Sequence, residues 1–207
     1  MSHHRQFYIG EFSCQYLVAW PANRYDENDY RAVAQQGRCQ VIFRLSQKLA
    51  KKIKVSPRTC VPADDNPFAD WSGHLFTADR TQYIILTNTS SLYSMVMYGK
   101  GITDDSRLID RALSCIGEFM VDDGQEFIFR RLVAPATTTM SFSKALNRSV
   151  PGSMNDLVYH AKVWLTEGDL SPFDASSKLN EMPMSSLSYH NPREAFKALN
   201  AENFGEA

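Results

Sequence analysis

No stretch of this 207-residue chain approaches the roughly 18 consecutive apolar residues that a membrane-spanning helix needs, and its first residues lack the apolar centre of a secretory signal. Cysteine is sparse. Cys14, Cys39, Cys60 and Cys115 are scattered, with no C-x-x-C and no cysteine–histidine pairing, which speaks against a zinc module or a disulfide framework and fits a reducing cytoplasm. Charge of either sign is nearly balanced, with a formal net charge of −1, so binding to nucleic acid through bulk positive charge is excluded and only a local basic patch is left. The phosphate-cradling patterns G-x-G-x-x-G and G-x-x-x-x-G-K-[ST] are missing, as is the G-x-S-x-G elbow of serine hydrolases. No cofactor and no metal site are expected.

What remains is ordinary for a folded domain, 43% hydrophobic and 22% charged. Residues 1–40 differ from the rest: they are turn-rich, hold no sustained apolar period, and read as an N-terminal extension. The compact domain is expected over residues 41–200, with 201–207 as a tail. Its opening, VIFRLSQKLAKKIK, alternates Val41, Phe43 and Leu45 as a strand, and Ser46 can cap a short helix running to Lys54. So natural a first strand suggests translation beginning near Val41.

Three strand-like runs follow, with Leu75 and Thr77, then Ile84 and Leu86, then Tyr93, Met95 and Met97 on one side. Turns at 79–82 and 88–91 make an antiparallel meander the economical arrangement. Thr103, ahead of Asp104 and Asp105, is placed to cap a helix at 104–121. The run EFIFRRLVA suits helix or strand equally, whereas TTTMSFS reads as a strand. Pro151-Gly152 reads as a turn, Ser153 as an N-cap and Asp156 as its capping-box partner, opening a helix at 153–167 that buries Met154, Leu157, Val158, Ala161, Trp164 and Leu165. Asn191, Pro192 and Glu194 signal a last short helix. The fold class is therefore α/β of the α+β type: one domain with a small, mainly antiparallel sheet packed by helices.

Three regions can carry function. Between Tyr30 and Ala63 there is no acidic residue, while Arg31, Arg38, Arg44, Lys48, Lys51, Lys52, Lys54 and Arg58 fall in that window. Arg44, Lys48, Lys51 and Lys52 are the candidates for phosphate contact, against the plainer reading of a solvated helix face. In the second region, Arg148, Ser149, Ser153 and Asn155 surround a helix N-terminus, where free amides attract anions unless the helix caps itself. Asp156 and His160 lie one turn apart there, so Ser153, Asp156 and His160 are candidates for a hydrolase or phosphate-handling site. The third cluster, WSGHLFTADRTQY, offers His74 as a base. Trp71 and Tyr83 suit a core or its rim better, and Asp79 and Arg80 a hairpin turn.

The segments IFRLSQKLAKKI, W..HLFTADRTQYIILTNTSSLYSMVMYGKG and NRSVPGSMNDLVYHAK resemble an uncharacterised family of small bacterial proteins, catalogued as a domain of unknown function. The resemblance runs from about Ile42 to Leu199 and implies one cytoplasmic domain beginning near Val41. It supplies no reaction, cofactor or catalytic residue. The function expected is a non-enzymatic binding or regulatory module, with an unknown protein or small molecule as partner and no membrane. Nucleic-acid association through 44–58 and hydrolysis at 148–160 stand as alternatives.

Overall fold

The computed structural model describes residues 7–8, 40–57, 60–146 and 149–203. Most of the segment expected to be an N-terminal extension lies outside the described residues. Strands β1 (Phe7–Tyr8), β2 (Val41–Leu45), β3 (Asp70–Ala78), β4 (Thr81–Asn88), β5 (Ser94–Tyr98) and β6 (Thr139–Ser143) form one sheet in the order β1-β6-β2-β3-β4-β5. The expected meander is there: β3, β4 and β5 pair antiparallel. The sheet as a whole is mixed, because β2 pairs in parallel with both β3 and β6. Two residues of the segment read as an extension, Phe7 and Tyr8, pair antiparallel with β6 at the edge.

Helices cover both faces. Helix α1 (Gln47–Lys52) follows β2 directly, and Ser46 caps it by accepting the Leu49 N–H at 3.4 Å. It can lie close to the sheet because β3 carries Gly73 beneath it. A Cβ at that position would sit 2.9 Å from Leu49 Cδ2. On the same face lie α2 (Asp105–Asp122) and the run at 126–138, which is helical throughout, with a π turn at Phe129–Val133 and a tighter turn at Ala134–Thr138. Val41, Phe43, Trp71, Ile84, Leu86 and Met95 meet Leu108, Ile116 and Phe119 there in the larger core. The start of α2 corrects one expectation. Asp104, not Thr103, is the N-cap and accepts the Arg107 N–H at 3.0 Å, while the Thr103 hydroxyl donates to the Asp104 carboxylate. A carboxylate at the positive end of the helix outcompetes a neutral hydroxyl for free amides.

The opposite face carries α3 (Ser149–Thr166) and α4 (Pro172–Glu181), which enclose a second core around Phe76, Ile85, Val96, Met154, Leu157, Ala161 and Leu179. Helix α3 begins four residues earlier than its sequence suggests. Pro151 and Gly152 lie inside its first turn, where a missing N–H costs nothing because those amides have no helical acceptor. Ser153 is thus helix interior rather than an N-cap. Helix α4, capped by Ser171 with Pro172 at its first position, has no counterpart in the sequence reading.

The last helix, α5 (Pro192–Asn203), starts as expected, with Asn191 Oδ1 accepting the Glu194 N–H at 2.8 Å. Phe196 stacks on Tyr93 at 4.4 Å between centroids. Arg193 and the Tyr93 hydroxyl both donate to Asp123, each at 2.8 Å. Burial, with the Asp123 charge beside it, pushes the Tyr93 phenol far above its ordinary range, so it stays a hydrogen-bond donor.

Candidate functional site

The two-sided cover has a direct consequence for the basic segment. Arg44 alternates with Phe43 and Leu45 and so points to the face opposite the larger core, where it is 2% exposed. Its Nε donates to Asp70 Oδ1 at 2.8 Å and its Nη2 to Asp70 Oδ2 at 2.6 Å. The remaining hydrogens reach the carbonyls of Val61, Pro62 and Lys144 and the hydroxyl of Ser143. Since a guanidinium has five N–H donors, none is left for a phosphate. Arg44 is therefore not a nucleic-acid contact: it is neutralised by Asp70 and ties β2, β3 and β6 to the 61–62 segment. Asp70 Oδ1 accepts in addition from Thr89 Oγ1 at 2.8 Å, and Thr89 Oγ1 lies 3.0 Å from Ser72 Oγ. Of the other basic candidates, Lys48 and Lys51 are exposed on α1, Lys52 donates to Gln82 Oε1 at 2.7 Å, and Arg58 lies outside the described residues.

The hydrolase candidates are on one helix but do not form a relay. Ser153 and His160 are seven residues apart on α3, a separation of roughly 10 Å along the axis, too far for the imidazole to take a proton from the hydroxyl. The Ser153 hydroxyl is hydrogen-bonded at 3.1 Å to Ser186 Oγ instead. Among the described residues, Asp156 makes no hydrogen bond or ion pair with His160. The His160 ring packs between two aromatic neighbours, with centroids 5.4 Å from Tyr159 and 5.7 Å from Trp164, and Lys178 Nζ lies 5.8 Å from the centroid of Trp164. Ser149 opens the helix and Asn155 and Asp156 are exposed on it, whereas Arg148 lies outside the described residues.

The sequence reading missed Tyr159. It is 65% exposed, on the side of α3 directly opposite the buried stripe of Val150, Met154, Leu157 and Ala161. The signal was available, since a tyrosine half a helical turn from an apolar stripe has no core to enter. Tyr159 stands on this outer side with Val163, flanked by the polar Asn155, Asp156 and Lys162, and the His160 ring beside it leads round the helix to Trp164, which packs against the second core.

In the third cluster, Trp71 and Tyr83 are core residues. Asp79 and Arg80 make the two-residue hairpin turn with positive φ values of 39° and 62°, the signature of the turn whose twist matches its strands. His74 is half-buried in β3, and burial first, then the Lys48 and Lys162 charges, lower its pKa from the usual 6.5. Among the described residues no group of three or more His, Cys, Asp and Glu side chains is placed to hold a metal ion, and no helix is long and apolar enough to cross a membrane.

Fold and surface together define an α/β domain with a mixed sheet between two helical layers, a saturated polar clasp inside it and an exposed tyrosine on an outer helix face. Over residues 42–195, well beyond half its length, the chain matches the family described as domain of unknown function DUF6933, and it belongs to that family. No curated protein matches it.

Proposed function

We propose that this chain is a non-enzymatic binding module of the bacterial cytoplasm that meets a protein partner through the outer face of α3. The observation that carries this reading is Tyr159, 65% exposed on the side of α3 turned away from the core, with the His160 ring against its edge and Asn155, Asp156 and Lys162 exposed around it. A stiff aromatic anchor with polar residues around it is the usual centre of a protein–protein contact. A small-molecule site is typically concave, and an outward helix face is convex. Asn155 and Asp156 extend the same surface toward the start of the helix, where Ser149 is exposed next to Arg148 in sequence. The setting is supported by Cys60 and Cys115, both free thiols, which persist in a reducing compartment.

The test is capture from a lysate of the native host, with and without nuclease treatment, by the wild-type chain and by Tyr159→Ala. Loss of the captured protein in the variant, with an unchanged melting temperature and with exchange protection of residues 155–164 in the wild-type complex, is the expected result. Capture that survives Tyr159→Ala but disappears with nuclease, or with Lys48→Glu and Lys51→Glu, would replace this reading with the nucleic-acid one.

A further inference from the structure

Among the described residues strand β5 ends the sheet, and an edge strand presents unpaired N–H and C=O groups that invite another strand. Helix α4 occupies this edge in place of a strand. The Ser94 N–H donates to Asn180 Oδ1 at 2.7 Å, and Asn180 Nδ2 donates back to the Ser94 carbonyl at 2.7 Å. The carboxamide thus offers β5 the acceptor and donor that a neighbouring strand residue would offer. Two residues on, the Val96 N–H donates to Ser176 Oγ at 2.8 Å.

The match is geometric. Ser176 and Asn180 are one turn apart, a rise of about 6 Å, and alternate residues of a strand are about 6.7 Å apart. Both side chains are held in place by their own helix: Asn180 Nδ2 also donates to the Ser176 carbonyl at 3.0 Å, and Ser176 Oγ donates to the Pro172 carbonyl at 2.6 Å. Asn180 is 0% and Ser176 1% exposed.

What lies beneath explains the need. Leu92–Tyr98, LYSMVMY, contains no charge, proline or glycine, the composition of a segment that pairs with copies of itself when exposed. We propose that α4 is a seal on the β5 edge and that the partner it excludes is the β5 edge of a second copy of this chain. The outward backbone groups fall on Ser94 and Val96. An antiparallel pair of β5 strands related by a two-fold axis at Val96 satisfies them on both copies and brings Tyr98 of each opposite Ser94 of the other.

The experiment is sedimentation of the full chain over a range of concentrations. For Ser176→Ala and Asn180→Ala we expect a mass that climbs with concentration toward twice that of the wild type. Adding Tyr98→Lys, a charge at the end of the edge strand on a residue already 49% exposed, should return the mass to the wild-type value. Variants that keep the wild-type mass at every concentration overturn the proposal, as does association that Tyr98→Lys leaves untouched, since nonspecific aggregation of a loosened fold is indifferent to that charge. Should Asn180→Ala not fold, Ser176→Ala, which removes a single oxygen, decides. Hydrogen exchange on the wild type gives an independent check. The amides of Ser94 and Val96 are expected to open together with α4, and exchange at the rate of free amides sinks the idea.

Discussion

Arg44 and Asp70 face each other diagonally across two parallel strands. Asp70 is in register with Ile42, and the guanidinium reaches back to it from two residues further along β2, closing a two-point contact at 2.8 and 2.6 Å. Their side chains are 0% and 3% exposed. Removing one member of a buried pair strands the other charge, which costs about 3–5 kcal/mol, whereas replacing both with apolar groups of similar volume costs far less than the sum. Asp70→Leu and Arg44→Met are each expected to lower the unfolding free energy from urea denaturation by that order, and the two together by less than their sum. Additive losses in this double-mutant cycle would show that the contact itself stabilises nothing.

The two serines near helix starts on the opposite face separate a cap from an interior residue. Ser171 Oγ accepts the Asp174 N–H at 3.1 Å at the start of α4, so Ser171→Ala is expected to cost about 1 kcal/mol. Ser153 sits inside α3 and shares one hydroxyl contact with Ser186. Its replacement by alanine, the better helix former, should stay within about 0.5 kcal/mol. Denaturation of the two variants side by side checks the assignment, and a larger loss at Ser153 would mean that it caps the helix after all.

The same two helices explain how far the fold was legible. The β3–β4–β5 meander could be read because its pairings are local and its turns are marked by residues such as Asp79. The parallel pairing of β2 with β6 could not, because it joins residues about a hundred positions apart and leaves no local trace. Helix α4 escaped because its inward side alternates apolar Ala175 and Leu179 with Ser176 and Asn180, polar residues buried to serve a strand edge and so invisible to a hydrophobic period. Pro151-Gly152 resembled a turn because that pair breaks a helix anywhere except its first turn. At the candidate site, Lys48 and Lys51 lie exposed on α1, a placement that both a solvated face and a phosphate contact require. Arg44 misled because a charge inside a strand looks solvated until both faces of the sheet are known to be covered.

Cys60 and Cys115 should react very differently. Burial, with the Glu118 charge adding to it, pushes the Cys115 thiol up to about 12, which leaves on the order of one molecule in ten thousand as thiolate at pH 8. Cys60 is exposed. A brief iodoacetamide pulse read by peptide mass spectrometry is expected to label Cys60 well ahead of Cys115, and equal rates would contradict the packing of α2 described above.

His74 supplies a pH dependence whose direction is determined by its surroundings. Burial in β3 disfavours the imidazolium, and the Lys48 and Lys162 charges disfavour it further, so its folded pKa lies below the usual 6.5. The unfolded chain therefore binds this proton first. Stability attached to His74 is complete above about pH 7.5 and is lost as pH falls through 6.5 toward the lowered folded value, below which the loss levels off. Carboxylates add slopes of their own at lower pH, so the quantity to measure is the difference between the wild type and His74→Gln. As pH falls from about 7.5 to 5, the wild-type urea midpoint should drop relative to that of the variant. A constant difference would mean that the imidazole is as well solvated in the folded chain as in the unfolded one, and a rising difference would require an acidic neighbour in place of the two lysines.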